Sequence, residues 1–308
     1  MVTITNYDTY NLIKGTNSGE PINGYGSNSV IGWTFWDPRP KSINDKIYGY
    51  GGSDIIGGLG GEDTIYGGSG TDLIWGGEDD DYLYGNSGSD QLWGEEANDY
   101  INGGSGDDLL WGQAGDDQLW GQAGNDQLYG GNGNDYLYGG DGTDYLYGNS
   151  GNDRLWGQAG NDQLDGGNGN DKLYGGPNNS SYSKYDDDFL FGGEGDDTLI
   201  GYGGTGDIGN EDDTLKGGSG SDVFVLGDKY RIYYLEDNFD LQNNMAIIED
   251  FNYIEGDKIQ VHGSISDYSV VDFGKDAIIY AENQTDIIAK VIDGAGSNFI
   301  PALDLEFV

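Results

Sequence analysis

The most regular feature of the chain is a nine-residue alternation of one aliphatic position with one aspartate. An aspartate occupies every ninth position from Asp45 to Asp171, and Ile or Leu follows each of them two positions later, from Ile47 to Leu173. Alternate side chains of an extended strand point to opposite faces, so the aliphatic residue is expected to point inward and its neighbours outward. The pattern therefore predicts one short strand in each unit of a repetitive β structure.

Glycine fills most of the other fixed positions. It stands five residues before the aspartate in every unit from Gly49 to Gly166, and two residues before it in all but two of these units, where Asp79 and Ala97 replace it. The unit is thus G-G-x-G-x-D-x-U-x, where U is aliphatic, and its positions are numbered 1 to 9 below. Strands of three residues need a sharp turn at each end, and the glycines supply its backbone conformations.

This unit resembles the calcium-binding nonapeptide of the RTX (repeats-in-toxin) family. Its clearest copies are GGSGTDLIW over residues 67–75 and GGNGNDYLY over residues 130–138. The resemblance implies an all-β, right-handed parallel β-roll, a β-solenoid in which six residues form a calcium-binding turn and three form a strand. With two nonapeptides per 18-residue coil, turns such as those of Asp117 and Asp135 stack at the ~4.8 Å spacing of neighbouring strands.

The phase of the repeat predicts three parts. Residues 1–44 are expected to form an N-terminal cap with degenerate repeats and an aromatic loop, and residues 45–220 the roll. The phase slips after Asp171, so loops are predicted near 177–187 and 202–212. Residues 221–308 contain β-rich runs, resemble the segment that follows the repeats in RTX exoproteins, and are expected to form a β-rich C-terminal cap.

Within the N-terminal part, the degenerate unit at residues 24–32 carries Asn28 where the aspartate is expected. The loop that follows contains Trp33, Phe35 and Trp36. Terminal repeats of a solenoid must cover its core, which favours a capping role for this aromatic cluster. The alternative is a ligand-binding loop.

The strongly negative charge of the chain indicates that it binds cations. The chain carries 55 acidic and 13 basic residues, a formal net charge of −42, and no lysine or arginine lies between Lys46 and Arg154. This charge disfavours nucleic acid and anionic membranes as partners. Carboxylates without basic partners in the chain need an external counter-charge when they stack. With no cysteine and one histidine, His262, the available ligands are oxygens, which Ca²⁺ prefers.

We therefore predict that the position-6 aspartates and backbone carbonyls of the turns bind on the order of a dozen Ca²⁺ ions. The alternative is that these aspartates form local Asx-turns in a metal-free solenoid. Asx-turns would tolerate Asn or Ser at position 6, and neither occurs there from Asp45 to Asp171. The predicted metal-binding residues are Asp54, Asp63, Asp72, Asp81, Asp90, Asp99, Asp108, Asp117, Asp126, Asp135, Asp144, Asp153, Asp162, Asp171, Asp188, Asp197, Asp213 and Asp222.

Position 9 is aromatic in 12 of the 15 regular units. One interpretation is a flat ligand face for polysaccharide or cell-surface material, because large exposed apolar patches commonly bind a partner. The other is that aromatic ladders stabilise neighbouring coils. The tryptophans of the candidate ligand face are Trp75, Trp93, Trp111, Trp120 and Trp156.

The sequence offers no catalytic constellation. H-E-x-x-H, G-x-S-x-G and G-x-x-x-x-G-K-[ST] are absent, so no enzymatic activity is expected. No apolar run is long enough to span a membrane, and the first 15 residues lack the features of a signal peptide. The end of the chain, residues 305–308, resembles the acidic-then-hydrophobic terminus of type I secretion substrates; an ordinary closing strand is the alternative. We expect a secreted protein that meets the type I secretion machinery during export.

Overall fold

The computed structural model describes residues 3–7, 10–14, 22–23, 29–31, 44–176, 187–202, 211–228, 231–232, 244–252, 255–261, 269–272, 277–280, 287–292 and 305–307. Within these ranges the chain forms strands and turns. No helix among them is long and apolar enough to cross a membrane. The chain divides into two compact units, Met1–Gly142 and Thr143–Val308.

The first unit consists of two sheets whose strands alternate along the chain. Apart from the antiparallel pair β1–β2, the described pairings are parallel, as predicted. One sheet has the order β1-β2-β4-β6-β8-β10-β12-β14 and the other β3-β5-β7-β9-β11-β13-β15. The strands are β1 (Thr3–Tyr7), β2 (Tyr10–Lys14), β3 (Ile22–Asn23), β4 (Ser29–Ile31), β5 (Lys46–Gly51), β6 (Ile55–Gly60), β7 (Thr64–Ser69), β8 (Leu73–Glu78), β9 (Tyr82–Ser87), β10 (Gln91–Glu96), β11 (Tyr100–Ser105), β12 (Leu109–Ala114), β13 (Gln118–Ala123), β14 (Gln127–Asn132) and β15 (Tyr136–Asp141).

The second unit begins with the same alternation and adds the antiparallel pairs β24–β25, β28–β29 and β29–β30. One sheet has the order β16-β18-β20-β22-β26-β30-β29-β28, the other β17-β19-β21-β23-β27-β31, and β24 pairs with β25. The strands are β16 (Tyr145–Ser150), β17 (Arg154–Ala159), β18 (Gln163–Asn168), β19 (Lys172–Gly176), β20 (Phe189–Glu194), β21 (Thr198–Tyr202), β22 (Glu211–Ser219), β23 (Val223–Val225), β24 (Gly227–Asp228), β25 (Arg231–Ile232), β26 (Asn244–Glu249), β27 (Lys258–Val261), β28 (Ser269–Asp272), β29 (Ala277–Tyr280), β30 (Ile287–Ile292) and β31 (Leu305–Phe307).

The pairing register confirms a coil of two nonapeptides. In β10 and β12, Leu92 pairs with Leu110 and Trp93 with Trp111, 18 residues apart. The expected strand length of three residues is wrong, since most strands of the roll span six. Residues at positions 7 to 9 of one strand pair with the same positions of the next coil, and so do residues at positions 2 and 3, as in Glu96 and Ala114. The residue at position 1, between these two groups, has no partner in the register. The hydrogen-bonded ladder thus extends into the predicted turn.

The core of each unit is the pair of aliphatic columns at position 8. In the first unit every regular member, from Ile47 to Leu137, is fully buried. In the second unit the columns run through Leu190 and Leu215 to residues of the C-terminal strands, including Phe224 and Ile259. Full burial of such a side chain contributes roughly 1.5–3 kcal/mol, so one inward residue in nine gives a narrow core.

The first strands depart from the predicted phase. Ile31 of β4 pairs with Ile56, and Ile22 of β3 pairs with Ile47. Counting back from Ile31, position 6 of that unit is Ser29 and not the predicted Asn28. A shift of one residue reverses the face of every side chain in a strand, so the pairing and not the glycine pattern fixes this register. Trp33, Phe35, Trp36 and His262 lie outside the described residues.

The C-terminal segment is β-rich, as predicted. The strands β26 and β27 continue the two sheets in parallel, because β26 pairs with β22 and β27 with β23. The last strand, Leu305–Phe307, pairs in parallel with β27. Residues 305–307 therefore extend the sheet that contains β27.

Candidate metal centres

The position-6 aspartates form the polar counterpart of the aliphatic columns. All 18 predicted metal-binding aspartates are buried, with exposed fractions of at most 3 %. Each lies two residues after position 4 and two residues before the buried apolar residue of position 8, so each turn places one buried carboxylate next to the core in the chain. Asp45, the first of the series, is buried in the same way.

One carboxylate oxygen of these aspartates joins successive coils. The backbone N–H of Asp72 donates a hydrogen bond of 2.8 Å to Oδ1 of Asp90, whose own N–H donates to Oδ1 of Asp108 at 2.7 Å. The partners are 18 residues apart, whereas an Asx-turn uses a donor two residues further along the chain. The hydrogen bonding described for these columns is therefore between coils, in contrast to the Asx-turn alternative.

The second oxygen, Oδ2, has no hydrogen-bond donor in many of these residues. A buried acceptor left unsatisfied is unfavourable by about 1–3 kcal/mol, and more when it is charged. Its repetition along a column indicates a place for a further positive group. Within the described part of the chain, the buried Oδ2 atoms without a donor include those of Asp63, Asp72, Asp81, Asp90, Asp99, Asp108, Asp117, Asp171, Asp197 and Asp222.

The Oδ2 atoms without a donor lie close to peptide carbonyl oxygens at the position-1 glycine of the turn. A Cβ added to Gly85 would lie 2.5 Å from Oδ2 of Asp90 and 2.6 Å from the carbonyl oxygen of Gly103, 18 residues on. The same arrangement recurs at Gly112, where the added atom would meet Asp117 Oδ2 and, at 2.7 Å, the Gly130 carbonyl. Any larger residue at position 1 would fill the volume between the carboxylate oxygen and the carbonyl oxygen. These two hard oxygens come from successive coils.

Electrostatics makes a bare column of carboxylates unfavourable. Burial raises the pKa of Asp81 to about 8 and that of Asp99 to about 9. The inter-coil hydrogen bond opposes this shift, and the neighbouring carboxylates, such as Asp117 beside Asp99, reinforce it. No lysine or arginine contributes to either pKa. Burial thus disfavours the ionised form of these carboxyl groups, and a bound divalent cation would stabilise it.

The donor set fits calcium. Carboxylate and carbonyl oxygens are the ligands of Ca²⁺, which takes six to eight of them in flexible geometry. The described residues contain no group of three or more His, Cys, Asp or Glu side chains that could hold a metal ion. A site here would thus combine the carboxylate of one coil with backbone carbonyls, and the glycines allow those carbonyls to approach.

The aspartate columns also run past the predicted loops. Asp162 donates its N–H to Oδ1 of Asp188 at 2.8 Å, and Asp188 donates to Asp213 at 3.0 Å. The pairs are 26 and 25 residues apart instead of 18, so eight and seven extra residues lie within these coils. Residues 177–186 and 203–210, where the loops are predicted, lie outside the described part, but the register on both sides is that of an uninterrupted column.

The sequence prediction of metal-binding residues missed two aspartates, Asp257 and Asp250. Asp222 donates its N–H to Oδ1 of Asp257 at 3.0 Å, so Asp257, which is 5 % exposed, is a further member of the column. Asp250 accepts hydrogen bonds from the backbone N–H groups of Gly217 and Gly218. The signal for Asp257 was the short motif G-D-x-U ending at Ile259, which the 35-residue gap from Asp222 concealed.

The aromatic residues at position 9 stack on one another. The ring centroids of Trp75 and Trp93 are 4.8 Å apart at an interplanar angle of 4°, and those of Trp93 and Trp111 are 4.7 Å apart at 1°. Trp120 stacks on Tyr138 in the opposite sheet, and Trp156 on Tyr174 in the second unit. Each inner ring therefore covers the faces of its neighbours, which favours the ladder interpretation over a flat ligand face.

The stacked turns and their buried carboxylates define a metal-binding β-roll. A family model described as RTX calcium-binding nonapeptide repeat matches residues 44–65, 57–92, 93–128, 111–146, 120–155, 147–181, 182–205 and 209–228. These matches cover more than half of the chain, which therefore belongs to the RTX calcium-binding repeat family. A comparison with curated proteins finds no match over the chain.

Proposed function

We propose that this protein is exported unfolded, folds outside the cell when calcium fills the turns of its roll, and there serves a binding or matrix role without catalysis. The observation that carries the proposal is the series of buried Oδ2 atoms that lack a donor and face glycine carbonyls of the next coil. Ions at these points would be bound by the folded chain only, so calcium binding supplies folding free energy.

The low calcium concentration of the cytosol supports the export step. Extracellular calcium modules have dissociation constants of about 10⁻⁴–10⁻³ M, so sites of this class fill outside the cell and not inside. Before export the carboxylates repel one another and keep the chain open. The same charge that opposes folding in the cytosol becomes the metal ligand set outside.

Calcium-dependent folding is tested by far-UV circular dichroism in EDTA, in millimolar Ca²⁺ and in millimolar Mg²⁺. At alkaline pH, where the carboxylates are ionised, we expect β structure in calcium only, because Mg²⁺ demands a tighter octahedral geometry. A roll that keeps its spectrum in EDTA contradicts the proposal.

A pair of adjacent aspartates offers a matched test of the ligands. Asp108 is fully buried with an orphaned Oδ2, whereas Asp107 is exposed and accepts a hydrogen bond from the Asn125 N–H at 2.8 Å. Asp108→Asn should reduce the number of ions bound in calorimetry and raise the calcium needed for folding. Asp107→Asn removes the same charge and keeps an acceptor, so it should change neither value appreciably.

Export is tested by expressing the chain with and without a type I secretion apparatus and measuring its fraction in the medium. The acidic and hydrophobic residues of the last strand support this route. Glu306→Lys with Phe307→Asp should retain the protein in the cell, while Asp107→Asn should leave its export unchanged. Equal release of all three proteins would refute the proposed signal.

A further inference from the structure

An aromatic ladder of the second unit is interrupted by a carboxylate. In the sheet that contains β16, β18 and β20, position 9 is occupied by Tyr147, Asp165 and Phe191, and these three residues pair in successive strands. Asp165 thus takes the place of one ring between two others. Elsewhere in the regular units the missing rings are replaced by the uncharged residues Gly57 and Asn102.

Asp165 has no partner that explains its charge. It is partly buried, and within the described part of the chain it makes no hydrogen bond or ion pair. The nearest basic group in this ladder belongs to Lys216, whose Nζ lies 5.1 Å from the centre of the Phe191 ring, one strand beyond it. Lys216 pairs with Phe191 from β22, which lies on the opposite side of β20 from the strand of Asp165.

The interruption opens a groove on this face of the sheet. A depression of about 430 Å³ is lined by Tyr147, Asp165 and Phe191, together with residues of the following turns that include Asn149, Asn168 and Glu194. Strands are about 4.8 Å apart, so the two rings stand two spacings, roughly 9.6 Å, from each other. One planar group fits between them at about the distance of a normal stacked ring.

We propose that this groove binds a guanidinium group, presented as the arginine side chain of a peptide or protein partner. A guanidinium is planar, stacks on aromatic faces and donates two parallel hydrogen bonds to a carboxylate. Cations interact with a ring within about 6 Å of its centre, which a group on the missing rung satisfies for both neighbours. Glu194 at the edge adds negative charge, and the amides of Asn149 and Asn168 offer further hydrogen bonds.

Two features favour this ligand over a neutral sugar or an ammonium ion. A sugar between two rings needs hydroxyl contacts but no uncompensated carboxylate at the base of the site. An ammonium is compact and strongly hydrated, so it gains less from a flat slot than a guanidinium does. Asp165 occupies position 9 and not position 6 of its unit, so it is not one of the predicted calcium ligands.

The test uses the full-length protein in saturating calcium and 150 mM NaCl, where weak nonspecific attraction to an acidic surface is screened. The probe is acetyl-Gly-Arg-Gly-amide, and its dissociation constant is measured by saturation-transfer NMR on the arginine methylene protons. The same peptide with citrulline, which keeps the shape and lacks the charge, is the ligand control. We expect the arginine peptide to bind at least tenfold more tightly than the citrulline peptide.

Three variants distinguish binding in the groove from nonspecific attraction of the peptide to the acidic protein. Asp165→Asn removes the carboxylate, and Asp165→Tyr restores the ring and fills the gap; each should weaken binding at least tenfold. Glu96→Gln removes one exposed charge outside the groove and should bind as the unchanged protein does. Circular dichroism and the number of bound calcium ions should be the same in all variants.

The proposal is overturned by any of three results. The citrulline peptide binding as tightly as the arginine peptide would show a neutral-ligand site. A loss of affinity in Glu96→Gln equal to that in Asp165→Asn would show nonspecific charge attraction. A missing calcium ion in Asp165→Asn would assign the carboxylate to a metal. Most other units have an aromatic residue at position 9, so Asp165→Tyr is expected to fold. A loss of binding in this variant can therefore be attributed to the filled groove.

Discussion

At the scale of single residues, the glycine at position 1 is required by space. Gly85 does not have positive φ, so its backbone accepts any residue. The restriction comes from Asp90 Oδ2 and the Gly103 carbonyl, which would lie within 2.6 Å of an added Cβ. The same two oxygens are the proposed ligands of the ion, so a methyl group at this position would occupy the space that the metal needs.

Gly85→Ala should therefore remove one bound calcium ion and lower the stability of the calcium-loaded roll. The matched control is Gly57→Ala, because a Cβ added to Gly57 meets no atom within 4 Å. Calorimetric counting of ions and urea denaturation in calcium check the prediction. If both variants bind as many ions as the unchanged protein, position 1 does not border a metal site.

The glycine at position 4 is required by conformation instead. Gly88 and Gly106 have φ of 129° and 125°, in the region that side chains rarely adopt. The two exceptions, Asp79 and Ala97, keep positive φ values of 77° and 80°. A non-glycine residue with such a φ is strained, so these two units store a local energetic penalty.

Ala97→Gly should accordingly raise the free energy of unfolding in calcium by about 1 kcal/mol. The control is Ala114→Gly, at a position without positive φ, which should instead lower it by about 0.5–1 kcal/mol. Urea midpoints of the two variants should move in opposite directions. Equal shifts of the same sign would mean that flexibility, not φ, dominates at Ala97.

At the scale of elements, the stacked rings join strands that share little core. Trp93 contacts Trp75 on one face and Trp111 on the other at 4.8 and 4.7 Å. Each aromatic pair contributes about 0.5–1.5 kcal/mol beyond the area it buries. A ladder of this kind supplements one aliphatic side chain per nonapeptide with continuous contact along the outer face.

Trp93→Ala should lower the free energy of unfolding by about 1–3 kcal/mol, because it removes two stacked contacts. Trp93→Tyr keeps a ring in the ladder and should lose less than half as much. Polysaccharide binding of both variants is measured in parallel. Lost polysaccharide binding in Trp93→Ala with unchanged stability would favour the ligand-face interpretation.

At the scale of the whole molecule, folding is linked to protons and calcium in opposite directions. Burial raises the pKa of Asp63 to about 7 and that of Asp108 to about 8, from an ordinary value of 3.8. A raised carboxyl pKa gives stability that is fully present below the unfolded pKa and is lost as the pH rises through the folded pKa. Calcium binds the ionised form, so its affinity increases over the same range.

The chelated protein should therefore gain β structure when the pH falls from 9 towards 4, while its calcium affinity should rise from pH 5 to pH 9. Circular dichroism in EDTA across this range checks the first statement, and calcium titrations at pH 5, 7 and 9 check the second. A metal-free protein that becomes more folded at high pH would show that the buried carboxylates are not the controlling groups.

Much of this architecture could be predicted from the sequence because it is encoded locally. The two-residue offset between Asp90 and Leu92 sets which side chain enters the core and which the turn, and the absence of basic residues indicates a metal. Local patterns also identified all 18 metal-binding candidates, and the structure buries each of them. They gave the wrong phase for Ser29, where a degenerate unit leaves only strand pairing to fix the register.

The coil, its inward residues and the chemistry of its turns follow from residue types at a fixed period, so the amino-acid pattern alone predicts them. The folded chain was needed to show which turns are neighbours across the insertions, that Asp257 joins the column, and that Asp165 lies between two rings. These relations depend on backbone pairing between residues 18 to 35 positions apart, which no nine-residue window contains.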